Sequence, residues 1–147
     1  MRAAATWEDD VLAVVKFLLG MLGTAAVLAF AGVAGSAELE ARTSSAAGVT
    51  IKVTPKRVGK GASTWEFAVV FDTHSQDLND DPLRNSVLID SRGARYAPLA
   101  WDGPGPGGHH REGTLRFDAP APRPDAIDLQ IRRPGESAPR NFRWSLK

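Results

Sequence analysis

Hydrophobic residues follow two patterns along this chain, one continuous and one alternating. An apolar run occupies residues 17–34, contains no charged residue and is followed shortly by Glu38. From Val49 onward apolar and polar residues alternate instead, beginning with Val49, Ile51 and Val53. Alternation with a period of two predicts β-strands that bury one face. The chain therefore divides into an apolar leader and a β domain.

The apolar run is interpreted as an export segment. Its length approaches the roughly 20 residues that span a bilayer as a helix. Small residues at 35–37 suit signal peptidase cleavage after Ala37. However, the run is longer than the roughly 7–15 apolar residues of most signal peptides, and its leader is acidic at residues 8–10. Three alternatives follow: a cleaved signal peptide, a retained signal anchor, and a buried helix of a soluble protein.

Charges on either side of the run predict its orientation. Arg2 and Lys16 precede it, whereas Glu38 and Glu40 follow it. Because basic residues favour the cytoplasmic side, the amino end is expected to stay inside and the carboxyl end to be exported. The expected location is periplasmic or extracellular, either secreted or anchored to the cytoplasmic membrane by the N-terminal segment.

The rest of the chain is predicted to be a linker and one β domain. Residues 1–37 are assigned to the signal peptide or signal anchor, 38–48 to a linker without strand alternation, and 49–147 to the folded domain. Seven short runs with strand character predict an all-β fold, an immunoglobulin-like antiparallel β-sandwich preceded by an N-terminal hydrophobic helix, with a small barrel as the alternative. The runs are Val49 to Thr54, Trp65 to Phe71, Ser86 to Asp90, Arg95 to Trp101, Thr114 to Phe117, Ala126 to Arg132 and Asn141 to Leu146.

Composition excludes several classes of partner and chemistry. The 18 basic and 17 acidic residues nearly balance, and no basic stretch carries interleaved aromatic residues. The electrostatic surface expected of a nucleic-acid-binding protein is therefore missing. The chain has no cysteine, so disulfides, thiolate metal sites and cysteine nucleophiles are excluded.

Histidine clustering is the most informative chemical feature. Asp72 and His74 end the strongest predicted strand, and His109 and His110 lie in a glycine-rich loop. Imidazole is a common ligand of zinc and copper, and a carboxylate or water completes such coordination spheres. If the two segments meet at one end of the sandwich, these four side chains form a candidate metal site for copper or zinc.

Two other interpretations of the same residues stay open. Asp72 and His74 can bond exposed backbone groups where a strand ends, and His109 can do the same in the loop, which makes the cluster purely structural. Loops at the ends of sandwiches also carry binding surfaces, so the cluster could contact a ligand or a protein.

An acidic segment at 77–81 resembles the first half of a calcium-binding loop. An EF-hand requires glycine at the sixth position and glutamate at the twelfth, where this chain has Pro82 and Leu88. The segment is therefore predicted to be a solvated acidic loop, with an irregular calcium site as the alternative.

An enzymatic function has weak support. Asp72, His74 and Ser75 contain the residue types of a hydrolase, but no Gly-x-Ser-x-Gly turn is present and neighbours in sequence do not form a catalytic geometry. Phosphate-binding loops, dinucleotide fingerprints and zinc-protease motifs are also missing from the sequence. No catalytic residue is assigned.

From about Val49 to Trp144 the chain resembles a family of small exported prokaryotic immunoglobulin-like β domains. The matching segments are Trp65-Glu66-Phe67, Phe71-Asp72-Thr73-His74-Ser75, Pro98-Leu99-Ala100-Trp101, Gly107-Gly108-His109-His110-Arg111 and Phe142-Arg143-Trp144. The resemblance implies that the Asp/His segment and the Gly/His/His segment belong to one shared feature. It implies a fold and no activity, and it does not extend to the export segment.

The expected function is a non-enzymatic binding module, exported or tethered to the membrane, that holds copper or zinc through Asp72, His74, His109 and His110. The alternative is a protein-interaction or accessory module of a membrane complex without metal. In that case a retained helix could pack through its small residues at 20–26. The expected partners are the membrane, if the segment is uncleaved, and a protein, but no nucleic acid.

Overall fold

The structure is a computed structural model that describes residues 38–147. The predicted signal peptide or anchor and its hydrophobic helix, in residues 1–37, lie outside the described residues. Within 38–147, no helix has both the length and the apolar character needed to cross a bilayer.

The described residues form two antiparallel sheets. The first sheet contains β1 (Arg42–Ala46), β2 (Val49–Arg57), β3 (Thr64–Thr73), β6 (Ala100–Asp102) and β7 (His110–Asp118). The second contains β4 (Ser86–Asp90), β5 (Arg95–Tyr96), β8 (Ala126–Ile131) and β9 (Arg140–Ser145), and a short helix, α1 (Pro82–Asn85), precedes it. The strand orders are β1-β2-β3-β7-β6 and β5-β4-β8-β9. The predicted all-β class is confirmed, and the arrangement is that of a sandwich.

Alternate side chains of both sheets fill a single core. On β3, Trp65, Phe67, Val69 and Phe71 are all buried, as the alternation predicts. The Phe67 ring lies 5.7 Å from the Trp144 ring of the second sheet. Because each large apolar side chain contributes about 1.5–3 kcal/mol when fully buried, such contacts across the sheets supply most of the stability. The opposite face of β3 is only half-buried, so this central strand is not covered on both sides.

The segment predicted as a linker contains a strand. Within 38–48, β1 pairs with β2 from Arg42 opposite Val53 to Ala46 opposite Val49. Its side chains are exposed or half-buried on both faces, so no hydrophobic alternation marks it. The linker prediction therefore needs correction, because pairing at a sheet edge needs only backbone groups and leaves no apolar signature.

The predicted strand from Arg95 to Trp101 is two strands in different sheets. β5 pairs with β4 in the second sheet, whereas β6 pairs with β7 in the first. Pro98 lies between them and has no N–H to donate to a ladder, so the chain changes sheets there. With β1, this split raises the predicted seven strands to nine in the described residues.

The hairpin between β4 and β5 turns at Ser91, Arg92 and Gly93. Gly93 has a φ of 85°, which only glycine adopts without strain. The Asp90 carboxylate accepts bonds from the backbone N–H groups of Arg92 and Ala94, each at 2.9 Å. Burial opposes ionisation of this carboxyl, but these donors and the Arg92 guanidinium together lower the pKa of Asp90. The turn is thereby fixed by its own side chains.

The sandwich has two poles. The histidine pole consists of the β1–β2 turn and the loops at 74–85, 103–109 and 132–139. The N-terminal pole consists of the loops at 58–63, 91–94 and 119–125, and Leu39 lies there beside Val58 and Leu146.

Candidate functional site at the histidine pole

The structure brings the two histidine-bearing segments together. β3 and β7 are neighbours, and Asp72 lies directly opposite His110 in their register. Beyond this pair the ladder continues, because the Thr73 N–H donates to the His109 carbonyl at 2.9 Å. The end of β3 and the glycine-rich loop therefore meet at one pole, as the candidate site requires.

Asp72 and His110 form a close side-chain pair. The distance from His110 Nδ1 to Asp72 Oδ1 is 2.5 Å, and the two side chains are 59% and 54% exposed. The hydrogen bond with Asp72 and the charge of that carboxylate raise the pKa of His110, and Glu112 adds to the effect. Solvent screens a pair this exposed, so its contribution to stability is small.

Glu112 lies on the other side of the same imidazole. His110 Nε2 is 4.0 Å from Glu112 Oε2, because residues two apart on β7 share a face. The sequence reasoning missed Glu112, although the alternation of β7 could have placed it beside His110. The imidazole therefore stands between two carboxylates.

His74 and His109 do not join this arrangement through side-chain bonds in the described chain. Both side chains are exposed, His74 just after β3 and His109 just before β7. Residues 38–147 contain no group of three or more His, Cys, Asp or Glu side chains arranged to hold a metal ion. Of the four predicted ligands, the structure pairs Asp72 with His110 only.

Arg111 occupies the inner face of β7, between His110 and Glu112 in sequence. Its side chain is buried, with 2% of the residue exposed. Its guanidinium donates to the carbonyls of Leu78, Asp80 and Pro104 at 2.8–3.1 Å. The guanidinium carbon also lies 6.0 Å from the ring centroids of Phe71 and Trp101. Arg111 thus joins the 74–85 loop to the 103–109 loop.

Trp101 fixes the glycine-rich loop from the other side. Its indole N–H donates to the Pro104 carbonyl at 3.1 Å. A Cβ atom at Gly103 or Gly113 would lie 2.5–2.6 Å from the indole ring, so only glycine permits this close approach. The loop backbone also pairs with Leu78, whose N–H donates to Gly108 and whose carbonyl accepts from Gly107, each at 2.9 Å.

A chain of ion pairs runs through the same pole. Arg133 donates to both carboxylate oxygens of Asp80, at 2.9 and 3.1 Å, and both residues are buried. Glu136 lies 3.6 Å from Arg133 and 2.5 Å from Arg140. The bond from Arg140, opposed in part by burial, lowers the pKa of Glu136. Two acids and two bases therefore neutralise each other in the protein interior.

Arg140 extends this network to the start of the domain. Its guanidinium donates to the carbonyls of Ser44, Ala46 and Val49 at 2.8–3.0 Å. These carbonyls belong to β1 and to the first residue of β2. Arg111, Arg133 and Arg140 together therefore tie all three loops and the β1–β2 turn of the histidine pole to one another.

The acidic segment is only partly the solvated loop that the sequence predicts. Asp80 is buried against Arg133. Asp81 caps α1, because its Oδ1 accepts from the N–H groups of Leu83 and Arg84 at 3.1 and 3.3 Å. Both carboxylates therefore have partners within the protein.

The hydrolase residues do not form a relay in the described structure. Asp72 bonds to His110, not to His74. The Ser75 backbone N–H donates to the Thr73 hydroxyl at 3.3 Å, which continues the turn after β3. The arrangement supports a structural role for this segment.

Comparisons with protein-family models, curated proteins and solved structures give no match.

Proposed function

We propose that this chain is an exported, non-enzymatic immunoglobulin-like module, released or tethered to the membrane, that binds a protein partner through its histidine pole. One observation carries the proposal. Three buried arginine side chains fix every loop of that pole by bonds to backbone carbonyls or carboxylates. Loops held in one conformation lose little entropy on binding, so a rigid pole suits recognition.

The strand order supports the immunoglobulin-like assignment. In that fold one sheet has the order A-B-E-D and the other contains C, F and G. The orders β2-β3-β7-β6 and β4-β8-β9 match these when the strands are lettered along the chain. β1 is then an additional edge strand before A, and β5 an additional strand beside C.

The exposed residues of the pole favour a protein partner. The polar side chains of His74, Asn79 and His109 are exposed at this pole, and so is Leu83, a large apolar residue that is 44% exposed. Hydrogen-bonding groups around an apolar contact are typical of the rim and core of protein interfaces. The export segment would present this surface outside the cytoplasm.

Site-specific photocross-linking tests the proposal. A photoreactive amino acid at Asn79 or His109 of the full chain, in the cells that produce it, should give one discrete protein adduct, and one at Lys52 should not. Arg111→Met should lower the yield of that adduct while export, followed with a C-terminal alkaline phosphatase fusion, is unchanged. Equal adducts from Lys52, or none from the pole, would contradict the proposal.

Metal binding is a second candidate, supported by the surroundings of His110. Asp72 fixes the imidazole through Nδ1, as a carboxylate commonly does for a histidine that binds metal. This leaves Nε2 and the Glu112 carboxylate, 4.0 Å apart, as a pair of donors for copper or zinc. Water or a partner would have to supply the remaining ligands.

Calorimetry with zinc and copper on residues 38–147 tests the metal candidate. Binding that is lost in His110→Gln and Glu112→Gln but kept in a His74→Gln/His109→Gln variant would assign it to the His110 pair. Loss of binding in His110→Gln and also in His74→Gln/His109→Gln would assign the metal to the four residues predicted from the sequence. No heat of binding by the parent protein rules out both sites.

A further inference from the structure

Two adjoining clefts open at the N-terminal pole. Their volumes are about 490 and 500 Å³. Both are lined by Gly59, Lys60 and Arg123, so the two cations lie where the clefts meet. The arginines that hold the loops of the histidine pole are buried, whereas Lys60 and Arg123 are exposed and line open space.

The cations at the junction are available to an anion. Among residues 38–147, no carboxylate lies within salt-bridge distance of Lys60 or Arg123. Arg123 is held in place, because one of its Nη atoms donates to the Leu146 carbonyl at 3.0 Å. A third cation of the first cleft, Lys147, is 3.4 Å from Asp125 and is partly neutralised.

Apolar side chains complete the first cleft. Leu39, Val58 and Leu146 line it; Leu146 belongs to the hydrophobic core, and Leu39 and Val58 pack against that core. An anion with an attached apolar portion matches this combination better than a free ion does. A phospholipid has this character, with a phosphate above a glycerol backbone and acyl chains.

Chain connectivity brings this ligand within reach. Leu39 lines the cleft, and the apolar run ends at Ala34. Five extended residues span at most about 17 Å. We propose that the cleft around Lys60 and Arg123 binds the headgroup of an anionic phospholipid, an inference that rests on the membrane tether of the proposed function.

Titration of residues 38–147, which contain both sheets and the core between them, tests binding directly. Short-chain phosphatidylglycerol should shift the NMR signals of residues 58–63 and 119–123, and short-chain phosphatidylcholine should not. Lys60→Gln/Arg123→Gln should weaken the affinity by about 30-fold, at about fivefold for each cation near a membrane surface. Lys52→Gln/Arg95→Gln removes the same charge from exposed positions elsewhere and should leave the affinity unchanged.

Three results would overturn the inference. Equal shifts with both lipids would show that the headgroup charge is not recognised. Equal shifts with inorganic phosphate would show a general anion site. Equal weakening in the Lys52→Gln/Arg95→Gln control would show attraction to net charge only.

A second experiment separates failure of this inference from failure of the tether. The full chain is reconstituted in nanodiscs, with and without anionic lipid, and its amino terminus is sequenced after expression. An intact terminus with lipid-dependent hydrogen-exchange protection at 58–63 supports both. An intact amino terminus without lipid-dependent protection at 58–63 overturns headgroup binding only. An amino terminus at Glu38 overturns the membrane tether, and headgroup binding is then decided by the phosphatidylglycerol titration.

Discussion

The two poles of the sandwich are built differently. At the histidine pole, guanidinium groups of Arg111, Arg133 and Arg140 are buried and bond to the loops. At the N-terminal pole, the cations Lys60 and Arg123 line open clefts, whereas the β4–β5 hairpin is fixed by the buried Asp90 carboxylate. Cationic side chains are therefore buried and bonded to the loops at the histidine pole, and exposed to solvent at the N-terminal pole.

Because of this difference, we expect the buried cations to contribute to stability and the exposed cations to contribute to binding. A buried ion with one partner removed is strongly destabilising, whereas an exposed ion contributes little to folding. We therefore expect substitutions at the histidine pole to change the free energy of unfolding. Substitutions of the cleft cations at the N-terminal pole should change ligand binding with little change in the free energy of unfolding, because they remove a single hydrogen bond, from Arg123 to the Leu146 carbonyl.

The largest effect is expected for Asp80→Ala. It leaves the buried Arg133 without its closest carboxylate and should lower the free energy of unfolding by about 3–5 kcal/mol. Asp81→Ala, next to it, removes the cap of α1 and an exposed ion pair with Arg84, and should cost about 1 kcal/mol. Urea denaturation of residues 38–147 measures both changes. Equal losses of unfolding free energy in the two variants would contradict the prediction that the buried Asp80 carboxylate stabilises the protein more than the exposed Asp81 carboxylate.

Arg111→Met should have the next largest effect. It removes three hydrogen bonds from the loops and leaves the Asp80 carbonyl without that donor, at a cost of about 2–3 kcal/mol. The matched control is Arg116→Met on the same strand, whose half-exposed salt bridges contribute about 0–1 kcal/mol. Hydrogen exchange should speed up at 78–80 and 107–108 and stay unchanged at 91–94. Faster exchange at both poles would show global rather than local loosening.

Gly113→Ala tests the contact with Trp101. The added methyl group would lie 2.6 Å from the indole and 2.7 Å from the Asp102 carbonyl, so both the ring and the β6 backbone must shift, at a cost of about 1–3 kcal/mol. Gly105→Ala meets no atom within 4 Å and should change stability by less than about 0.5 kcal/mol. Thermal unfolding gives both values, and an unchanged stability of Gly113→Ala would contradict a tight contact of Gly113 with Trp101 and the β6 backbone.

The smallest effect is expected from the exposed Asp72–His110 pair. The pKa of His110 in the folded protein is raised above its ordinary value of 6.5. The pair therefore stabilises the protein fully below pH 6.5, and this stabilisation is lost as the pH rises through the raised pKa of His110. His110→Gln should remove this pH dependence and His74→Gln should keep it. NMR titration of His110 provides the check: a pKa at or below the ordinary value would contradict the pairing.

Much of the fold could be predicted because it depends on local alternation. β4 has its predicted bounds at Ser86 and Asp90, and the buried face of β3 is the predicted one. β1 could not be predicted in this way, because its side chains are exposed or half-buried on both faces. Apart from β2, it is held by Arg140, which lies more than 90 residues away in sequence. Long-range bonds of this kind leave no periodic pattern in sequence.

The candidate site shows the same division. Histidine clustering singled out two segments and left open whether they meet; the strand register joins them at Asp72 and His110. Clustering did not identify Arg111, because an arginine beside two histidines suggests a solvated loop, and only the strand register of β7 turns it inward. Nor did it distinguish Asp80, which is buried, from Asp81, which is exposed. Burial of a charge depends on a distant partner of opposite sign.

The bonds between Arg140 and the β1–β2 turn also have a mechanical consequence. Trp144 adds a further bond to the Glu40 carbonyl at 2.7 Å, so the first strand is attached to the last as well as to its neighbour. If a partner held the histidine pole while the membrane held the chain ahead of Glu38, tension would act along β1. The ladder between β1 and β2 would then be loaded in shear, where its hydrogen bonds resist together, and the domain would transmit a pull without unravelling from its first strand.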